Sequence, residues 1–359
     1  MAECVAPDSA PHRSRYSRPV PQNAEVSAST RSLIHLGDGL RVSPQGYGAM
    51  SLSDSYGRVE DDDAYATLVH AVDAGATFVD TANVYGAGRS EKTISRLLRT
   101  RRDEVQLASK VGIAPGGKVG ERATRGDREH IREQIDLSLE RLGTDHLDLY
   151  YLHRVDPAVP IEDSVGALAE LVAEGKVRHI GLSEATGAEL RRAHAVHPIA
   201  AIQSEWSIVS RDVETHVIPA ARDLGIGVVP YSPLSRQWLT GLYDSSAITE
   251  ADARTKFPRF TTEALAANAP LLDEVRAAAA EVGVTPAQLS LAWLEHKGRE
   301  LGVAVASIPG TRSAARVDEN LAALDVVLDA PIVERLDTIA ARVHSARSFD
   351  PLWVSLGRE

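Results

Sequence analysis

Of the 359 residues only one is cysteine, Cys4, so neither a disulfide framework nor a cysteine zinc site is possible, and a reducing compartment suits the chain. Positive charge is also scarce. Thirty-nine Lys and Arg stand against fifty Asp and Glu, a net charge of −11 that repels nucleic-acid phosphate and anionic lipid. No apolar run approaches the roughly 18 residues of a membrane span. The first thirty residues lack the apolar stretch of about 7 to 15 residues that a secretory signal requires. They carry Pro7, Pro11, Pro19 and Pro21, and Glu3, Asp8 and Glu25 oppose an organelle transit peptide despite Arg13, Arg15 and Arg18. The expectation is a soluble cytoplasmic protein without a nucleic-acid or membrane partner. It divides into a disordered extension over 1–30, a folded unit over 31–345 and a C-terminal tail over 346–359.

What is present is an ordinary globular composition, 43% hydrophobic and 25% charged. Leu33 to Val42 reads as two short strands around Asp38-Gly39, a dipeptide that favours a hairpin turn. Short apolar runs then alternate with amphipathic segments. The runs are Gly46 to Met50, Thr77 to Asp80, Val105 to Lys110, Leu147 to Leu152, His179 to Leu182, Ala201 to Gln203, Gly227 to Pro230 and Val303 to Ile308. Between them, Ile131, Ile135, Leu139 and Leu142 recur at helical spacing and stop at Gly143; Val165, Leu168, Leu171 and Val172 stop at Gly175. Such an alternation demands parallel strands with helical crossovers, either in an open doubly wound sheet or in a closed barrel. Eight strand-helix units favour an α/β fold of the (β/α)8 TIM-barrel type, with an N-terminal hairpin cap and an extra C-terminal helix around Val333 to Ala341. No glycine-rich GxGxxG turn opens the chain, which argues against a Rossmann sheet; the cluster from Gly112 to Gly120 lacks that spacing. Ser232 to Leu265 is long and irregular, as functional loops are.

In a parallel barrel the reactive side chains stand at the carboxyl ends of strands. Here those ends carry Asp80 with Tyr85 beyond it, Lys110 and His153. Together they make a proton-transfer device. A phenol with a pKa of about 10 becomes useful near neutrality only beside a cation, which Lys110 supplies while Asp80 holds it. His153 would hydrogen-bond a substrate oxygen. Singly, each has a plainer role: Asp80 capping a turn, Tyr85 packing at a rim, His153 satisfied in the structure. Lys110 is the exception, because an ammonium ending a buried strand needs a carboxylate nearby.

These residues resemble the aldo-keto reductase superfamily, in the branch of the potassium-channel beta-subunit-like, bacterial and plant members. The matching segments are FVDTANVYG (Phe78 to Gly86), QLASK (Gln106 to Lys110), YLHR (Tyr151 to Arg154), GLSE (Gly181 to Glu184) and IQSEW (Ile202 to Trp206). VVPYSPLSRQWLTG (Val228 to Gly241) and SIPGTRSAARVDEN (Ser307 to Asn320) complete the series in the family's order. The resemblance implies a barrel that binds NADPH without a Rossmann fold and reduces aldehydes or ketones, with Asp80, Tyr85, Lys110 and His153 as its catalytic tetrad and Tyr85 as proton donor. It also implies that Ser183 and Gln203 hold the nicotinamide carboxamide and that Tyr231 stacks under the ring. Ser232, Leu234 and Arg236 would follow the pyrophosphate. Gly310, Thr311, Arg312, Arg316, Glu319 and Asn320 would grip the adenosine end. Independently, Ser313 and the helix start after it offer backbone N–H groups to an anion, and Arg312 and Arg316 suit a 2'-phosphate, favouring NADPH over NADH.

The chain departs from the family in three places. Glu184 stands where many members have Asn, Ser235 and Gln237 stand where members often have glycine, and the leader has no counterpart. The substrate pocket is expected over the nicotinamide, lined by the loop Ser51 to Tyr56, by Tyr56 itself, and by Trp206 and Trp238, whose aromatic walls suggest an apolar or planar carbonyl compound. Two other readings share every motif: a redox-sensing NADPH-binding subunit and a nucleotide-sugar ketoreductase. A metal-dependent hydrolase is disfavoured, since no His-x-His pair follows the first strand and the twelve histidines are scattered; no metal ligand is assigned. Oligomeric state and the natural small-molecule substrate stay open.

Overall fold

A computed structural model describes residues 32–114 and 124–359. The extension over residues 1–30 lies outside the described residues, as do Gly116, Gly117 and Gly120 of the glycine cluster.

The hairpin forms from β1 (Ile34–His35) and β2 (Arg41–Val42), and its turn has φ of 52° at Asp38 and 76° at Gly39. Asp and Gly tolerate that left-handed region better than other residues. Leu36, Leu40 and Val42 are buried, and Gly37 N–H donates to Ala200 O at 2.7 Å. The hairpin therefore plugs one end of the main sheet, with Leu36 so close to Gly227 that a Cβ there would lie 2.5 Å from it.

The main sheet contains β3 (Tyr47–Gly48), β4 (Phe78–Asp80), β5 (Gln106–Val111), β6 (Leu147–Leu152), β7 (Val177–Ser183), β8 (Ile199–Glu205) and β9 (Gly227–Tyr231). All seven are parallel and pair in chain order. The expected eighth strand, Val303 to Ile308, is not a regular strand. It nevertheless closes the ring through single bridges, Val228 to Val305 and Gln45 to Ser307, with Ala306 N–H donating to Val228 O at 3.0 Å and Gly46 N–H to Ser307 O at 2.8 Å. Pro230 explains the broken ladder, because it has no N–H to give at its turn in the pairing. The architecture is a (β/α)8 TIM barrel with seven full strands and a bridging eighth segment.

The crossovers are α1 (Asp61–Asp73), α2 (Arg89–Arg101), α3 (Arg128–Leu142), α4 (Ile161–Ala173), α5 (Gly187–Val196) and α6 (Val217–Leu224). Capping fixes their ends as the sequence indicates: Asp127 accepts from His130 N–H at 3.1 Å to start α3, and Gly143 ends it at φ 67°. The irregular stretch after β9 ends at Thr261, earlier than Leu265, because the Thr261 hydroxyl caps α7 (Thr262–Val282). Then come α8 (Pro286–Leu301), α9 (Ala314–Ala322) and α10 (Ala330–Asp337). The last helix starts three residues before Val333, at the Asp329 cap, and a 3-10 turn at Ala340–Arg342 replaces its expected end.

Strand alternation divides the core in two. Val79, Leu107, Tyr150, Leu152, Ile180, Leu182, Ile202 and Val228 pack outward against the helices. Phe78, Ala108, Leu149, Tyr151, Ala201 and Val229 fill the barrel. Gly181 is required at this layer, since a Cβ there would lie 2.4 Å from the Tyr151 ring. Any inward position two residues further along a strand stands one layer higher, at the mouth.

Candidate active site

That parity assembles the site. Stepping by two from the inward residues leads from Phe78 to Asp80, from Ala108 to Lys110, from Tyr151 to His153, from Gly181 to Ser183, from Ala201 to Gln203 and Glu205, and from Val229 to Tyr231. Seven polar side chains from six strands thus converge at one end of the barrel.

Lys110 is fully buried and pairs with Asp80 Oδ1. Its Nζ also donates to Thr81 O at 2.8 Å and to the Tyr85 hydroxyl at 3.2 Å. Burial alone would lower the Lys110 ammonium, but the Asp80 carboxylate reverses that and holds it above its ordinary value. Gln203 Nε2 donates to the other oxygen, Asp80 Oδ2, at 2.9 Å, so each oxygen of the carboxylate faces a donor. The Tyr85 and His153 rings meet edge to face, 5.8 Å between centroids. Burial, aided by the positive charges of Arg154 and Lys110, keeps the His153 imidazole well below its usual pKa, so it is neutral near pH 7. The four residues expected as a tetrad therefore stand together.

A groove with a cavity volume of about 510 Å³ runs from Tyr85 and Gln203 past Tyr231, Ser232, Leu234 and Arg236 to Gly310, Thr311, Arg312, Arg316, Glu319 and Asn320. The first turn of α9 has no side-chain cap from Ser313, which leaves its N-terminus open to an acceptor. Arg316 is exposed on the groove with no ion pair among the described residues. Arg312, by contrast, spends its guanidinium on the carbonyls of Tyr56, Gly57 and Arg58 at 2.9 to 3.1 Å. Arg236 is likewise committed, 2.9 Å from Glu205 and stacked on Phe257. An aromatic platform, an uncapped helix start and a free guanidinium along one groove fit a dinucleotide with an anionic far end.

Two of the three departures acquire physical meanings. Glu184, at φ 54° and fully buried, turns away from the groove. Its carboxylate accepts from Arg347 at 2.8 and 3.1 Å, from the Tyr231 hydroxyl at 2.9 Å, from Glu205 N–H at 3.0 Å and from Ser355 N–H at 2.9 Å. Burial would raise this carboxyl, and Arg347 drives it far below the usual range instead. Glu184 thus fastens the C-terminal tail rather than receiving a carboxamide. Ser235 and Gln237 adopt φ of 46° and 84°, left-handed conformations taken here without glycine. Ser235 N–H bonds Ser232 O at 2.8 Å, and Gln237 Oε1 accepts from Arg254 at 2.8 Å, which fixes the loop. The leader lies outside the described residues.

A second cavity of about 420 Å³ shares Tyr85, Gln203 and Tyr231 with the groove and opens onto His153, Arg154, Tyr56, Met50, Phe257 and Trp353. Tyr56 lines it as expected; Trp206 and Trp238 do not. Trp206 is fully buried, donates to Glu214 at 2.9 Å and packs edge to face on Trp293. Trp238 is buried in a 3-10 turn beside Phe260 and Val343. Both large rings gain more from burial than from a solvated rim. The aromatic wall comes instead from Phe257 and from Trp353 of the tail. Sequence pattern gave no sign of Trp353, whose place depends on Arg347 and Arg358 tying residues 346–359 back to Glu184, Asp212 and Glu189. Arg154, the last residue of the YLHR segment, lines the same cavity.

Among the described residues no group of His, Cys, Asp and Glu is arranged to hold a metal, and no helix is long and apolar enough to cross a membrane. The model of the Aldo/keto reductase family matches residues 45–341. The fold is similar to a thermostable aldo-keto reductase crystallised with the inhibitor epalrestat, at 26% identity and TM-score 0.68 over 86% of this chain and 99% of that one. It is also similar to a glycerol dehydrogenase from Gluconobacter oxydans, at 25% identity and TM-score 0.74 over 88% of this chain and 96% of that one. The chain belongs to the aldo/keto reductase family, a family of oxidoreductases that act on small-molecule carbonyl compounds with a nicotinamide cofactor.

Proposed function

We propose that the protein reduces an aldehyde or ketone to its alcohol with NADPH, Tyr85 supplying the proton. The observation that carries this reading is the hydrogen bond from Lys110 Nζ to the Tyr85 hydroxyl at 3.2 Å, with Asp80 buried behind it. When bound, NADPH supplies the hydride that adds to the carbonyl carbon. The Tyr85 O–H points its proton at the developing alkoxide, and the Lys110 ammonium stabilises the phenolate left behind. Asp80 keeps Lys110 charged and in place. His153, neutral and edge-on to Tyr85, orients the carbonyl oxygen through a hydrogen bond. Tyr231 would provide the platform for the nicotinamide, and Ser183 and Gln203 would hold its carboxamide.

Arg316 supports NADPH over NADH, since among the described residues its guanidinium is uncommitted, at the end of the groove where a 2'-phosphate would lie. Steady-state oxidation of NADPH and NADH against a panel of aldehydes and ketones tests the reading. Reduction should be faster with NADPH, and Arg316→Ala should weaken NADPH binding about tenfold while changing NADH binding less than about twofold. Equal losses for the two cofactors would remove the phosphate role.

A further inference from the structure

Arg154 is 9% exposed and follows His153 directly; the buried Glu184 carboxylate feels its charge, yet Arg154 forms no ion pair among the described residues. Its Nη1 donates to His153 O at 2.6 Å and to Ser183 Oγ at 3.2 Å, while Nε is buried without an acceptor. Nη2 makes no hydrogen bond among the described residues. The guanidinium carbon lies 5.9 and 5.2 Å from the ring centres of Tyr231 and Trp353, within cation–π range of both.

A guanidinium withdrawn from water requires a counter-charge. The other buried arginines of the chamber have theirs. Arg236 lies 2.9 Å from Glu205, and Arg347 lies 2.8 Å from Glu184 and 2.7 Å from Asp212. Glu205, the chamber's own carboxylate, is already shared between Arg236 and Arg259. Lys256 adds an exposed ammonium at the rim with no ion pair among the described residues. Among the described residues the second cavity is therefore a cationic chamber with one buried charge left over, and that charge stands beside the residue expected to orient the carbonyl.

We infer that the chamber takes a carbonyl substrate bearing a carboxylate, and that Arg154 is its counter-ion. This rests on the reductase reading for the carbonyl end of the molecule, but the anion site itself does not. It replaces the expectation of an apolar substrate, which depended on Trp206 and Trp238 lining the pocket. A carboxylate would supply the acceptor and the counter-charge that the Arg154 guanidinium lacks, and the adjacency of Arg154 to His153 places it close to the reacting carbonyl.

Two pairs of probes test it. For turnover, 4-carboxybenzaldehyde is compared with 4-carbamoylbenzaldehyde, which has the same shape without the charge. For binding, benzoate is compared with benzamide by calorimetry on the NADP+-loaded protein. The wild type should prefer each anion by roughly tenfold or more. Arg154→Met should bring both ratios close to one while turnover of the amide persists, and Arg154→Lys should retain part of the preference. Equal binding of benzoate and benzamide, or a preference that survives in Arg154→Met, would overturn the anion site and leave the reductase reading standing. Selective benzoate binding that depends on Arg154, with neither aldehyde reduced, would support the anion site and overturn the reductase reading.

Discussion

Tyr85→Phe is expected to lower kcat for carbonyl reduction by roughly a thousandfold while leaving the NADPH dissociation constant within about twofold of wild type. The substitution removes one oxygen and no buried charge. Lys110 keeps its ion pair with Asp80 and its bond to Thr81 O at 2.8 Å, so the ammonium stays satisfied and the barrel mouth keeps its shape. What disappears is the single acidic proton next to a cation. His153 cannot replace it, since burial and its cationic neighbours keep the imidazole neutral and well below its usual pKa. Stopped-flow or steady-state loss of NADPH, together with fluorescence titration of NADPH binding, separates the two effects. Turnover within tenfold of wild type would remove Tyr85 as the proton donor.

Arg347→Met should destabilise the fold by about 3 to 5 kcal/mol, the usual cost of stranding a buried charge. Arg347 is 3% exposed and sits between two carboxylates, Glu184 at 2.8 Å and Asp212 at 2.7 Å. Methionine matches its length but compensates neither. Glu184 would be the more costly of the two, being fully buried and held far below the usual carboxylate range by Arg347. Adding Glu184→Gln should recover part of the loss, because the amide needs no counter-charge. Urea unfolding of the single and double variants measures both values. A loss below about 1 kcal/mol, or no recovery in the double variant, would show that the pair does not anchor the tail. Because Trp353 lies beyond Arg347, the same variant should also raise KM for the substrate.

The two readouts mark the boundary between what sequence pattern reveals and what it hides. Strand positions were legible because strands buried on both faces read as short apolar runs, and Asp80, Lys110 and His153 stand where such runs end, at the mouth of a parallel barrel. The partner of Lys110 was legible for an energetic reason alone, since a buried ammonium needs a carboxylate. The Asp38-Gly39 turn announced itself through local chemistry. Contacts between distant segments left no local trace. Glu184 meets Arg347 across 163 positions of chain, and no periodicity relates a strand end to a tail. Trp206 and Trp238 were misplaced because a tryptophan beside a functional motif looks the same whether it faces a ligand or packs on Trp293 or Phe260. The eighth strand lost its regularity to Pro230, a residue of the neighbouring strand.

The most direct test of the central claim follows a labelled hydride. NADPH deuterated on the transferred face of the nicotinamide is incubated with 4-carboxybenzaldehyde and the wild-type protein, and the product is analysed by mass spectrometry and NMR. The account predicts an alcohol carrying one deuterium on the former carbonyl carbon, formed by the wild type and roughly a thousandfold more slowly by Tyr85→Phe. Alcohol without carbon-bound deuterium, or NADPH that stays bound and unconsumed in the presence of aldehydes that occupy the chamber, would contradict it.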